Sequence, residues 1–107
     1  GPAGGEYMLV SLGGCFVSHL LAAIRSREAA MTNVRVAVTG TMDGTPEQFT
    51  AFTLDVTAQC PDAELARKLV KIAARGCQVT TTLRQVARLS VTYEGAPVEL
   101  TEPAAVS

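Results

Sequence analysis

From Met8 to Ile24 the chain runs for 17 residues that are apolar on almost every side of a helix. Leu9, Leu12, Phe16, Leu20 and Ala23 recur at steps of three and four, the spacing of one helical face. Val10, Val17, Leu21 and Ile24 fill much of the remaining circumference. A helix apolar all round has to be surrounded, so it belongs in a core. Gly13-Gly14 sharpens the constraint. Each glycine inside a helix costs roughly 1 kcal/mol relative to alanine, and close approach of another backbone is the usual compensation. The run is slightly short for a membrane span, and Ser11, Ser18 and His19 make its middle too polar for one. The Gly-Pro-Ala-Gly-Gly-Glu before it lacks the basic start of a signal peptide. A buried helix of a soluble protein is expected, with no membrane partner.

The helical pattern extends from Glu6 to about Met31. Asn33 to Thr41 then alternates, with Val34, Val36 and Val38 against Arg35, Ala37 and Thr39, the pattern of a half-buried strand. Met42-Asp43-Gly44-Thr45-Pro46 is turn chemistry. A second strand follows, with Phe52, Leu54, Val56 and Ala58 on one side, and the two strands are expected to pair as an antiparallel hairpin. Pro61 opens a second helix at its first position, with Asp62 and Glu64 in the first turn, where the helix dipole favours them. Leu65, Leu69, Ile72 and Ala73 form its apolar face, and Gly76 is its stop. Val79 to Gln85 reads as a short further helix, Leu89 to Tyr93 as a third strand, and residues 101–107 as a frayed tail.

This order predicts one α+β domain over residues 1–107, a long central helix covered by antiparallel sheet. Three strands are too few to cover that helix. Either further strands precede Gly1 or a second copy supplies the cover. Composition points the same way. Sixteen alanines and 5% aromatics build a core of small residues. The 18% of charged residues lies below the roughly 25% of an average soluble protein. A net charge of −1 with no basic stripe gives no footprint for nucleic acid. An apolar content of 48% excludes disorder.

The chemistry-bearing residues are few. Three cysteines (Cys15, Cys60 and Cys77) make an odd number without dense spacing, which favours a reducing cytoplasm over a disulfide-stapled scaffold. His19 is the single histidine, and Cys-x-x-Cys is absent, so no metal site is expected. His19 lies four residues after Cys15, on the same helical face. Cys77 follows the Gly76 stop, where its sulfur meets the start of the next helix, a position that lowers a thiol pKa. A free cysteine is also a common small core residue, and that reading suits Cys60 best.

Two motifs change the balance. Residues 1–15 read GPAGGEYMLVSLGGC and residues 76–83 read GCQVTTTL, with Cys15 and Cys77 62 positions apart. Together they resemble the OsmC/Ohr family (osmotically inducible protein C-like, organic hydroperoxide resistance). Its members carry a segment like GPSPYELLLAALGGC or NPEELIGAAHAAC on a central helix, and GCPV-x-x-x-L some 60 residues later. The resemblance spans Gly1 to about Tyr93.

The resemblance implies an intertwined homodimer in which two long helices pack together, with the active site at their seam. It implies a thiol-dependent peroxidase without bound cofactor. Cys15 would attack an organic hydroperoxide and become a sulfenic acid, Cys77 would resolve it as a disulfide, and an external dithiol or lipoyl-type reductant would restore both. Glu6 is the acidic residue nearest the family's activating glutamate, and Met8, Leu12, Phe16 and His19 are the expected substrate-binding residues. Gly5 stands ten residues before Cys15, where other branches carry that glutamate. Gln78 stands where the family usually has proline. The strands that hold the family's activating arginine would precede Gly1, and nothing in the sequence selects Arg25, Arg27, Arg75 or Arg84 in its place. The competing expectation is a catalytically weak or inactive dimer of the same fold, binding a small apolar ligand or acting in stress response. A plain α+β domain with incidental cysteines is the third.

Overall fold

The computed structural model describes residues 4–100. The expected tail at 101–107 lies outside the described residues. Helix α1 spans Gly4–Ser26. Strands β1 (Thr32–Asp43) and β2 (Gln48–Gln59) form the expected antiparallel hairpin, with Val36 opposite Val56 and Val38 opposite Leu54. Gly44, at φ +92°, takes the left-handed conformation that the turn between them requires, and its N–H donates to Asp43 Oδ1.

Helices α2 (Ala63–Gly76) and α3 (Gln78–Leu83) lead to β3 (Arg88–Tyr93) and the two-residue β4 (Ala96–Pro97). The order in the sheet is β1-β2-β3-β4. β3 lies parallel to β2, with Leu54 beside Val91 and Val56 beside Tyr93. The sheet is therefore mixed, which corrects the expectation of an antiparallel sheet. The α2–α3 crossover is the reason: a chain that returns through helices re-enters at the same end of the sheet, and such connections join parallel strands.

Two smaller corrections concern α2. Pro61 precedes the helix, and Asp62 is its N-cap, with Oδ1 accepting from the Leu65 N–H at 3.1 Å. The buried face is rotated slightly, to Ala66, Leu69, Val70, Ala73 and Ala74, leaving Leu65 and Ile72 half-buried. The Arg67 guanidinium donates to the Pro97 carbonyl and ties α2 to the end of the sheet.

Leu12, Phe16, Leu20 and Ala23 of α1 are buried with Phe52, Leu54 and Val56 of β2, Val91 and Tyr93 of β3 and the buried face of α2. Gly13 lets α1 approach β1: a Cβ there would lie 2.8 Å from Val38 Cγ2. Gly14 faces open space. The other side of α1 is bare. Tyr7 is 58% exposed and Val10 68%, with Leu21 exposed as well. Within one chain the helix is thus covered on one side, although its composition asks for cover all round. α1 also meets the length and apolarity of a membrane span, but its stripe from Leu12 to Ala23 serves the core.

Candidate active site

Cys15 sits in the middle of α1 and His19 one turn later on the same face. The His19 Nδ1 lies 2.9 Å from the Cys15 carbonyl oxygen and 3.8 Å from the Cys15 sulfur. A carbonyl accepts, so Nδ1 carries the proton and donates to it. That leaves Nε2 as the ring nitrogen not engaged with the carbonyl.

Cys77 occupies the junction of α2 and α3. It follows the last residue of one helix and caps the next, in extended backbone at φ −79°, ψ 118°. Its sulfur accepts from the Thr80 N–H at 3.5 Å. Cys77 is fully buried, whereas Cys15 is half-buried. The two sulfurs and a His19 ring nitrogen all lie within 4.8 Å of one another.

The two thiols have been pushed apart in acidity. Burial raises the pKa of Cys15, but bonds from the Cys77 thiol and from the Val79 and Gln78 N–H groups outweigh it, so Cys15 ionises below the ordinary thiol value of 9.0. Burial first, and the neighbouring Cys15 second, hold Cys77 above that value. One sulfur is thus prepared as a thiolate and the other as a thiol that donates to it. Among the described residues the fully buried Thr80 hydroxyl has no partner in bonding geometry, and its position next to Cys77 allows it to stabilise a thiolate there.

Of the other residues singled out from the sequence, Met8 is exposed and lines an apolar cleft of about 270 Å³ with Gln78, Val79, Thr82 and Leu83. Leu12 and Phe16 are fully buried in the core. Both pack toward the sheet and α2. Glu6 is exposed and lies inside α1, which begins at Gly4. Nine residues at about 100° each put it on the side of the helix opposite Cys15. This placement does not support a role for Glu6 at Cys15 within one chain. Cys60 is apart from the cluster, its thiol donating to the Asp62 carbonyl. A larger groove of about 980 Å³ beside Phe49, Phe52, Arg84 and Arg88 is lined by neither Cys15 nor Cys77.

Sequence reasoning missed Gln78 and Thr80 as members of the site. The Gln78 Oε1 is 3.7 Å from the Cys15 sulfur. The departure from proline after Cys77 was the available signal.

A mixed four-stranded sheet, a core helix carrying one cysteine and a helix junction presenting a second define a two-cysteine α+β thiol protein. The chain belongs to the OsmC-like protein family, whose family model matches residues 1–92. Similar solved structures include a hypothetical protein from Aquifex aeolicus VF5, 16% identical over 88% of this chain and 74% of that one, with a TM-score of 0.79. The organic hydroperoxide resistance protein OsmC from Legionella pneumophila is 17% identical over 82% of this chain and 66% of its own, with a TM-score of 0.72. An organic hydroperoxide resistance protein from Elizabethkingia anophelis, solved with crystallant-derived thiocyanate bound, is 17% identical over 79% of this chain and 62% of its own, with a TM-score of 0.70. At these identities the likeness is one of fold. No curated protein sequence matches the chain.

Proposed function

We propose that this protein is a thiol-dependent peroxidase acting on organic hydroperoxides. One observation carries the reading: the acidified Cys15 sulfur lies within 4.8 Å of the Cys77 sulfur. The Cys15 thiolate attacks the O–O bond. That bond breaks, the terminal OH passes to sulfur so that Cys15 becomes a sulfenic acid, and the alkoxide leaves as the alcohol after taking a proton from solvent. The Cys77 sulfur then attacks the Cys15 sulfur, water leaves, and a disulfide forms. Closing the pair to the roughly 2.05 Å of an S–S bond asks for local movement at the α2–α3 junction. An external dithiol or lipoyl-type reductant returns both thiols by exchange. The apolar cleft at Met8 and Val79 suits the alkyl part of the substrate. An odd count of three cysteines without dense spacing fits a reducing cytoplasm. A homodimer formed through the bare face of α1 covers Tyr7, Val10 and Leu21.

The test is dithiothreitol- or dihydrolipoamide-dependent consumption of cumene hydroperoxide. Wild type turns over, Cys15→Ser does not, and Cys60→Ser behaves as wild type. Equal inertness of wild type and Cys15→Ser would overturn the reading. The second reading, a weakly active dimer that binds a small apolar ligand, draws on the same cleft. It is distinguished by intact mass: no loss of two hydrogens after one equivalent of peroxide.

A further inference from the structure

We propose that the reduced protein binds a thiophilic divalent cation through Cys15, His19 and Cys77, and that Zn²⁺ is the ion these three donors fit best. A single histidine and no Cys-x-x-Cys read against such a site in the sequence. The fold changes that by setting two sulfurs and a ring nitrogen within 4.8 Å of one another. Cys15 and His19, four apart on α1, supply two donors from one helix face, as paired ligands on a helix do. Cys77 brings the third from the α2–α3 junction.

The dimensions agree. Zn–S bonds of about 2.3 Å and Zn–N bonds of about 2.0–2.1 Å in a tetrahedron put donor atoms roughly 3.5–3.8 Å apart. The two sulfurs and the His19 ring nitrogen, all within 4.8 Å of one another, need to close by only about 1 Å to reach that spacing. Two thiolates and an imidazole are soft donors, which select zinc-like ions over magnesium or calcium. The two thiolate charges also neutralise the cation, as a half-buried site requires.

The surroundings are those of a ligand shell. Metal-bound histidine regularly donates its other ring N–H to a backbone carbonyl. Here Nδ1 donates to the Cys15 carbonyl and leaves the Nε2 lone pair available. The Thr80 hydroxyl, fully buried and unpartnered beside Cys77, gains an acceptor once that sulfur is a thiolate. Three protein ligands leave a fourth position for water or for the Gln78 Oε1, which is 3.7 Å from the Cys15 sulfur.

Ligation and disulfide formation use the same sulfurs and exclude one another. An oxidant such as diamide takes two electrons from the thiolates and two protons from solvent. It becomes a hydrazine, the S–S bond forms, and the cation leaves unreduced. This proposal does not rest on the peroxidase reading, and its test uses no hydroperoxide.

The full-length reduced protein is stripped of metal with a chelator and titrated with Zn²⁺ by equilibrium dialysis, and with Co²⁺ by absorption. One ion per chain is expected, with a sulfur-to-cobalt charge-transfer band that diamide abolishes. Loss of an outer-shell partner alone costs about 10–100-fold in affinity, so Cys15→Ser and His19→Ala should each lose at least that. Cys60→Ser should bind as wild type. Far-UV circular dichroism confirms folding of each variant. Saturating Zn²⁺ should also slow alkylation of wild-type Cys15 by iodoacetamide, a readout that needs no variant. Absence of stoichiometric uptake by wild type, unchanged affinity in His19→Ala, or unprotected alkylation would overturn the assignment.

Discussion

Gln78 touches the Cys15 sulfur in two opposing ways. Its side-chain Oε1, 3.7 Å away, accepts from the thiol and favours the protonated form. Its backbone N–H donates to the sulfur and favours the thiolate. The residue after Cys77 therefore tunes Cys15 through its main chain as well as its side chain.

Gln78→Pro separates these contributions, because proline has no N–H to donate. A hydrogen bond to a charged group is worth about 1.5–3 kcal/mol, and the partial exposure of Cys15 argues for the low end. Alkylation of Cys15 by iodoacetamide at neutral pH should slow by roughly tenfold. Gln78→Ala keeps the N–H and should not slow it. The comparison is made by mass spectrometry of the peptide carrying Cys15.

The opposite shifts of the two thiols predict a split pH response. Alkylation of Cys15 should follow a single titration below the ordinary value of 9.0, with Cys77 unreactive over that range. The stability signs also oppose. The lowered Cys15 contributes stability that is present above 9.0 and is lost as pH falls through its folded value. The raised Cys77 contributes stability that is present below 9.0 and is lost as pH rises through its folded value. Urea unfolding midpoints should therefore fall above pH 9.0 in wild type, and fall less in Cys77→Ala.

Gly13→Ala should destabilise the fold despite the better helix propensity of alanine. The added Cβ would lie 2.8 Å from Val38 Cγ2. Overpacking of this kind costs about 1–3 kcal/mol, against a propensity gain of roughly 1 kcal/mol. A net loss of up to about 2 kcal/mol in urea unfolding is expected. Adding Val38→Ala opens the space and should recover part of it. Double-mutant additivity would show that the two positions do not meet.

Val10→Arg tests the bare face of α1. Val10 is 68% exposed in the single chain, so the change leaves the chain's own core intact. Sedimentation should find wild type dimeric and the variant monomeric, with similar far-UV spectra. A variant that remains dimeric would place the interface elsewhere.

Local pattern carried most of the architecture. The three-and-four spacing from Leu9 to Ala23 marked α1, alternation around Val36 and Leu54 marked the hairpin, and Cys15 with Cys77 was legible through two motifs at a set separation. The direction of β3 was not, because alternation around Val91 is the same in either orientation and the choice lies in how α2 and α3 return the chain. β4, at two residues, is too short for any period. Leu12 and Phe16 show the limit of composition: an apolar side chain reads alike in a core and in a cleft wall. The meeting of His19, Gln78 and Thr80 around the sulfurs depends on the bend at Cys77, which a linear pattern does not encode.

The parallel crossover has a consequence for when chemistry becomes available. Cys15 and Cys77 are 62 residues apart, one on α1 and the other at the α2–α3 junction, so they meet only where those helices pack together. Contacts so distant in sequence form late and at an entropic cost. A chain released before that packing carries three ordinary, mutually remote thiols. The juxtaposition of the two sulfurs is thus a property of the packed helices and not of either segment alone.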